Sequence, residues 1–571
     1  MSEKRTKRVI IFSVFLSSAA VIGYEILAGS VLSNLLGSSI YYFSLIIGIF
    51  LAALGVGGWL SSRIKEKIFE SLVAVEIVIA VLGGLLSVFL FCVYAYLFSF
   101  FGALQFSDVF VFLGGIGIAQ ILFTSISLFF VSCVGILAGF ELPLYIRILS
   151  EKEILKDAIG KAFLWDYAGA LVISVSLPIF FFSKFGLIKT SFLIGTINLI
   201  AAIMVFICSD IKNKKYIYFL GFAFVFIINI FGFLWANNIE MFLEKKQFGN
   251  REVLYHASSP YQRLTFVEAE NKKISFYING QRQFESGDWD IVYHESFVHP
   301  AMSIAKKRED VLILGGGDGL ALREILKYQD VKKVTLVDID PLIIKAASDL
   351  DFMRALNKNA FFDSRVNVVV DDAFKFVEWL NKNNTYDLIF IDFPDPTDDS
   401  LSRLYSKEFY SLLKSTFRDN TVVVIQSESF FDSIQKNILT TLEYVGIQAL
   451  IYHPPEYDFF DQNFGFSMIC LAGCKKDDFK ELAVPVSNNI FMKNKLIDIF
   501  SPQPIPKYSF YQSEVNSIFH PTIFKLINNV FADHYMQSRP FDDILSQIKT
   551  SPEETKKQFI EEFFIMSAIS I

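Results

Sequence analysis

What this sequence has little of narrows it first. Among 571 residues only five are cysteine and six histidine. The cysteines (Cys92, Cys133, Cys208, Cys470 and Cys474) form no Cys-x-x-Cys pair and sit beside no histidine cluster, so a metal site is not expected and all five read as small buried side chains. Charged residues are only 19% of the chain, and acids outnumber bases to give a net charge of −7. Binding to nucleic acid relies on clustered Lys and Arg against phosphate, so nucleic acid is set aside as a partner. What is plentiful is apolar: 53% of residues are hydrophobic, 16% aromatic, and the mean hydropathy is +0.43.

That apolarity is confined to one half. Up to residue 236 the chain is a series of long apolar runs, and from 237 onward it is mixed and charged. Crossing the hydrocarbon core of a bilayer takes about 20 apolar residues. Candidate spans are 9–36, 39–60, 71–100, 109–149, 162–183, 187–208 and 216–236. The first is too long for a signal-peptide core and is followed by more spans. The stretch 109–149 is either one kinked pass or two passes with a turn near 125–132, so the count is seven or eight. Lys4, Arg5, Lys7 and Arg8 place the N-terminus inside by the positive-inside rule. Charge favours seven spans, with the C-terminal half outside; the chemistry below favours eight, with that half in the cytoplasm, and the reading adopted is a multi-pass protein of the cell (inner) membrane, in contact with lipid, with a cytoplasmic catalytic domain. Glu25, Glu141 and Asp166 lie in or near apolar runs, where acids are costly and face a bundle interior or cavity; they read as helix-fixing hydrogen-bonders or as a cation site.

In the second half, short alternating segments 264–268 and 274–278 precede Asn279-Gly280, a two-residue hairpin signal. A helical segment follows at 293–304. Then Val311-Leu312-Ile313-Leu314 runs into Gly315-Gly316-Gly317-Asp318-Gly319, with helical spacing over 320–327. A second strand ends at Asp338-Ile339-Asp340, about 20 residues beyond the glycines, the offset of an acid that takes ribose hydroxyls. Further strands are 368–370, before Asp371-Asp372, and 386–392. This order of strand, glycine turn, helix, strand and acid marks a Rossmann-like nucleoside site. An acid inside the glycine turn, Asp318, argues against a pyrophosphate cofactor and for a ligand bearing positive charge.

Here the residues resemble the spermidine synthase (polyamine aminopropyltransferase) family. The pieces are the glycine turn continuing to Arg323-Glu324, Tyr293-His294-Glu295 with His299-Pro300, Asp392-Phe393-Pro394-Asp395-Pro396, and Tyr261-Gln262. Tyr24-Glu25-Ile26-Leu27, Phe140-Glu141-Leu142-Pro143-Leu144, Asp166-Tyr167-Ala168-Gly169-Ala170-Leu171 and Glu514-Val515-Asn516 are similar to its membrane-bound members. The resemblance covers roughly 8–525. It implies transfer of an aminopropyl group from decarboxylated S-adenosylmethionine, a co-substrate, to a diamine, usually putrescine, with no cofactor or metal. Carried over by position, Asp392 is the proton acceptor. Gln262, Gly315, Gly317, Asp318, Asp338, Asp372 and Ala373 hold the donor, with Asp338 on the ribose, Asp372-Ala373 at the adenine and Asp318 on the aminopropyl ammonium. Tyr293, His294, Asp395 and Tyr457 line the amine side.

The residue types suit that chemistry. A protonated amine has no lone pair to attack with, so a carboxylate must first take its proton, and acids also draw together two cations that repel. Asp318 would repel the carboxylate of ordinary S-adenosylmethionine. The pattern departs in Phe393 and Pro394, expected to reshape the wall of the amine pocket, in an Asp at position 338, and in Gln283–Asp290, which does not align cleanly with the family's Asp-Glu pair. A methyltransferase on the same fold and a polyamine transporter or sensor stand as rivals. The expected architecture is a multi-pass α-helical membrane domain (1–236), a linker with a small β-hairpin subdomain (237–305), a Rossmann-like, methyltransferase-like α/β domain (306–485) and a C-terminal extension (486–571). Homo-oligomerisation stays open.

Overall fold

The computed structural model describes residues 3–36, 39–104, 115–209, 211, 215–249, 251–259, 261–269, 272–380, 386–396, 399–427, 432–455, 466–470, 473–491, 494–500 and 514–523. The apolar half is a helical bundle: α1 (Glu3–Leu36), α2 (Ser39–Ser61), α3 (Ile68–Gly84), α4 (Leu86–Leu104), α5 (Gly115–Gly139), α6 (Glu141–Ser150), α7 (Leu155–Ser176), α8 (Phe182–Cys208) and α9 (Lys215–Gln247). Five continuous helical stretches are long and apolar enough to cross a membrane, and a sixth if α3 and α4, bent by 42°, count as one. The outer surface is apolar as well, with Phe129 and Ile179 each 72% exposed. Side chains of this kind facing outward over a whole bundle fit a hydrocarbon surround rather than water.

Contacts between helices give the direction of each pass. At one end α1 meets the end of α8, where the Cys208 thiol approaches the Thr6 carbonyl, and Lys7 pairs with Glu153 just before α7. Higher up, the Ser18 hydroxyl donates to the Asp166 carbonyl of α7, and Gly23 faces both Ile173 of α7 and Ile194 of α8. So α7 runs parallel to α1 and α8 runs back. The reversal sits at Gly186, whose φ of 71° no ordinary helix residue adopts. A single 54-residue pass would be about 80 Å long, so Leu155–Cys208 is a helical hairpin. The chain therefore traverses the bundle seven times among the described residues. The turn near 125–132 is absent, because α5 continues without a break from Gly115 to Gly139, and the eight-pass alternative loses its basis. Backbones touch where α2 crosses α5: a Cβ on Gly57 would lie 1.9 Å from the Ile136 carbonyl oxygen.

The last helix does not stop at 236 but continues to Gln247. Strand β1 (Val253–Ser258) opens an antiparallel sheet with β2 (Arg263–Glu268), β3 (Ile274–Ile278) and β4 (Gln281–Glu285), in that order. Asn279 and Gly280 both have positive φ (51° and 81°), as a two-residue hairpin turn requires. This sheet rests on the bundle. Arg263 and Glu244, each 3% exposed, pair at 3.2 Å, and Arg263 also donates to Gln247. Removing either partner would leave a buried charge, a loss of about 3–5 kcal/mol.

Helix α10 (Asp288–Ile304) leads into the second sheet. Its strands β5 (Asp310–Gly315), β6 (Lys333–Asp338), β7 (Val366–Val370), β8 (Leu388–Asp392), β9 (Val422–Gln426), β10 (Leu450–Tyr452) and β11 (Phe466–Cys470) stand in the order β10-β11-β9-β8-β5-β6-β7. The five strands β5–β9 are parallel, and β10 and β11 close one edge antiparallel. Near-continuous Val, Leu and Ile fill these strands because helices cover both faces. Helices α11 (Leu320–Ile325) and α12 (Pro341–Asp349) follow β5 and β6. Residues 514–523 return to this domain: Asn516 is fully buried and bonds Ser402, and Ile523 is buried in the core. Cys470 and Cys474 form a disulfide, which corrects their reading as unpaired buried thiols. Their spacing of four residues lies outside the Cys-x-x-Cys pattern that was sought.

Candidate active site

Strand order changes direction at β5, with β6 on one side and β8 on the other, and ligands of open α/β sheets bind beyond such a point. Gly315 of β5 lies in register with Asp392 of β8, and β6 ends at Asp338. Three neighbouring strands thus deliver the glycine turn, Asp392 and Asp338 to one crevice. The glycines are needed first for the protein's own acids. A Cβ on Gly315 (φ 84°) would sit 2.1 Å from the Asp392 carbonyl oxygen, and one on Gly317 2.6 Å from Asp338 Oδ2.

Each acid is held by neutral donors. Asp338 accepts from the backbone N–H groups of Gly317 and Asp340, at 3.0 and 2.9 Å. Asp318 accepts from Leu320 N–H at 2.9 Å at the head of α11. Asp392 Oδ1 accepts from the Tyr293 hydroxyl at 2.7 Å, and Asp395 from the Gln426 amide at 3.0 Å. Among the described residues no Lys or Arg pairs with any of the four. Burial accordingly raises them all: Asp338 to about 7, Asp392 and Asp395 to about 6, and Asp318 upward. The nearby Asp318 adds to the shift of Asp392.

His294 stands behind them. Burial works against its charge, but Asp290, whose Oδ1 is 2.8 Å from Nδ1, and the charge of Asp318 outweigh it, and its pKa is raised. Asp290 also takes both terminal nitrogens of Arg323, at 3.0 and 3.1 Å. Asp290 and Arg323 as a pair escaped the motif reading, yet Asp290 and His294 are four apart on one helix, a spacing that places side chains together. Gln262 follows a tight turn whose Ser259 hydroxyl receives the Gln262 N–H and donates to Asp340 at 2.8 Å. Asp372 caps the helix Ala373–Trp379 through Phe374 N–H and accepts from Arg403 at 2.5 Å, with Ala373 buried beside it and Asp371 exposed. Tyr457 lies outside the described residues.

Phe393 is 6% exposed and packs into the core, its ring centroid 5.8 Å from that of Phe409. A residue following a strand's last inward position points to the opposite face, so its size bears on the core. Glu295, His299 and Glu324 form a buried cluster of possible metal-ligand atoms. Its charge is already met by Arg323, Lys327 and the backbone N–H groups of Asn489 and Ile490, which suits a structural network. In the bundle, Glu141 accepts from Ser17, and Glu76, which the sequence reading did not single out, accepts from Tyr145 at 2.8 Å and from Asn198.

A Rossmann-like sheet with a glycine turn and several acids gathered at its switch point fits the class of nucleoside-dependent transferases. The chain belongs to the polyamine aminopropyltransferase family. Residues 290–457 match the family model "Spermine/spermidine synthase domain". A polyamine aminopropyltransferase of Leptospira interrogans is 34% identical over 82% of this chain and 88% of its own length. One of Oceanobacillus iheyensis is 30% identical over 93% and 99%. The spermidine synthase structure from Thermotoga maritima is 24% identical over 44% of this chain and 85% of that one, with a TM-score of 0.38. The enzyme is an aminopropyltransferase, with decarboxylated S-adenosylmethionine as its co-substrate.

Proposed function

We propose that this aminopropyltransferase uses putrescine as its acceptor, yielding spermidine and methylthioadenosine, at a site carried on a membrane by the N-terminal bundle. Four partly buried acids that pair with no Lys or Arg among the described residues carry the reading: they supply what two cationic substrates need and would repel a pyrophosphate or a second carboxylate. Asp338 takes the ribose hydroxyls, while Asp372, fixed by Arg403, and Ala373 bound the adenine. Gln262, Gly315 and Gly317 shape the donor's path, and Asp318 holds the aminopropyl ammonium. Tyr293 and Asp395 line the amine side, with His294 behind them.

Asp392 takes a proton from the amine, and the freed lone pair attacks the methylene carbon next to the sulfonium. The new C–N bond forms as the C–S bond breaks, and its electron pair leaves on sulfur as a neutral thioether. Tyr293 holds the Asp392 carboxylate in place for this. Holding both substrates in line supplies much of the remaining acceleration. The chain divides for this work into a membrane domain ending with α9, a small β-subdomain, the catalytic α/β domain and a C-terminal extension. The test is incubation of the purified full-length protein with decarboxylated S-adenosylmethionine and a panel of diamines, read by mass spectrometry. Methylthioadenosine together with spermidine, greatest with putrescine, is expected. Preference for another amine would overturn the acceptor, and preference for the carboxylated donor would overturn the role of Asp318.

A further inference from the structure

We infer that the aminopropyl-transfer crevice opens on the extracytoplasmic side of the membrane, opposite the N-terminus. The inference rests on the bundle being membrane-embedded and departs from the cytoplasmic placement expected from the sequence. Three observations carry it. First, the seven passes leave the two ends of the bundle unlike. One end gathers the start of α1 and the joins α2–α3, α6–α7 and α8–α9. Its assembly is fixed by Lys7 on Glu153, Arg147 on the Ser61 and Ile64 carbonyls, and Cys208 near Thr6. The other end gathers the joins α1–α2, α4–α5 and α7–α8 and carries the catalytic half, through Arg263 on Glu244 and the Asn279-Gly280 turn against Tyr94.

Second, charge is divided between those ends. The first end holds fourteen Lys and Arg: four in residues 4–8, three in 63–67, four in 147–161 and three in 212–215. The joins at the other end hold two, Lys184 and Lys189, and α9 adds Lys245 and Lys246 just before the catalytic half. An excess of Lys and Arg in short loops marks the cytoplasmic side. All four basic clusters agree on one side, which the eight-pass reading could not achieve. Third, the catalytic half carries the Cys470–Cys474 disulfide, and disulfides persist in oxidising compartments outside the cytosol. A donor that is a charged nucleoside must then reach the crevice from outside, so a transport step for a sulfonium nucleoside supplies this reaction.

The experiment uses the full chain in spheroplasts of a host expressing it. Decarboxylated S-adenosylmethionine and putrescine are added outside, and methylthioadenosine is measured in the medium before and after permeabilisation. Alongside, Lys332→Cys on the catalytic half and Ser62→Cys on the basic end are each probed with a membrane-impermeant maleimide, against the unsubstituted protein as background. Expected are full activity without permeabilisation, labelling of Lys332→Cys on intact spheroplasts, and labelling of Ser62→Cys only after lysis. Activity that appears only on permeabilisation, or the reverse labelling pattern, overturns the inference. Recovery of the enzyme in the soluble fraction without detergent is a separate result that overturns the membrane reading itself.

Discussion

Two sets of acids, one buried and one partly buried, lie close together in the catalytic domain and are treated in opposite ways. Behind the crevice, Asp290 and Glu324 are answered by Arg323, His294, His299 and Lys327, and those partners hold Asp290 below, and Glu324 well below, the ordinary carboxylate range although burial opposes it. In front, Asp318, Asp338, Asp392 and Asp395 accept hydrogen bonds only from hydroxyl, amide and backbone donors, and burial pushes them up although the charge of His294 opposes it at Asp318 and Asp392. The first set is complete without a ligand and braces α10 against α11. The second makes no ion pair among the described residues, which suits the cationic substrates proposed for it. Burial alone therefore does not mark a site; burial without a counter-charge does.

The contrast can be broken at several points. Asp392→Asn should leave the fold intact and lower kcat by about 10²–10⁴-fold, the range for a lost general base, measured as methylthioadenosine release. Arg323→Met strips the rear acids of their partner and should cost about 3–5 kcal/mol of stability, seen as a lowered denaturation midpoint. Equal damage to stability from both changes would erase the distinction. Asp318→Asn should weaken decarboxylated-donor binding by about 10–100-fold, the worth of a hydrogen bond to a charged group. It should also narrow the preference over S-adenosylmethionine, read by donor competition.

The smallest effect is in pH. A carboxyl raised by the fold stabilises it most in the neutral form, so that contribution is full below about 4, the unfolded value, and is lost as pH rises toward about 7 for Asp338. The lowered Asp290 acts in the opposite sense, its contribution being present above about 4 and lost in acid. The stability of the unsubstituted enzyme relative to Asp338→Asn should therefore decline between about pH 4 and about pH 7 and level off above that. In parallel, kcat/KM should rise through about pH 6–7 as Asp338 and Asp392 ionise. A flat difference between the two proteins would show that Asp338 meets a counter-charge.

Most of the crevice was legible because its parts are local motifs: Gly315 to Asp318, Asp338 and Asp392 sit where strands end, and strand ends announce themselves by a run of Val, Leu and Ile stopping at an acid. What was not legible depends on which way a side chain turns or on distant segments meeting. That the Phe393 ring is 6% exposed follows from the pleat and not from its motif. Asp290 and Arg323 are 33 residues apart, and Glu76 meets Tyr145 only because α3 and α6 cross. Pass number failed at 109–149 for a similar reason: hydropathy is the same for one bent pass or two short ones. Asn279-Gly280, by contrast, was read correctly, since a two-residue turn is decided by its own two residues.

The ion pair between Arg263 and Glu244 has a mechanical meaning. With only a few residues between Gln247 and β1, and that pair sealed from water beside Tyr94, the catalytic half is bolted to the bundle rather than tethered by a leash. Its crevice keeps one height and one tilt relative to the helical bundle. Lengthening the connector at 249–251 would leave that posture unchanged, whereas loosening the bolt would let the whole head swing.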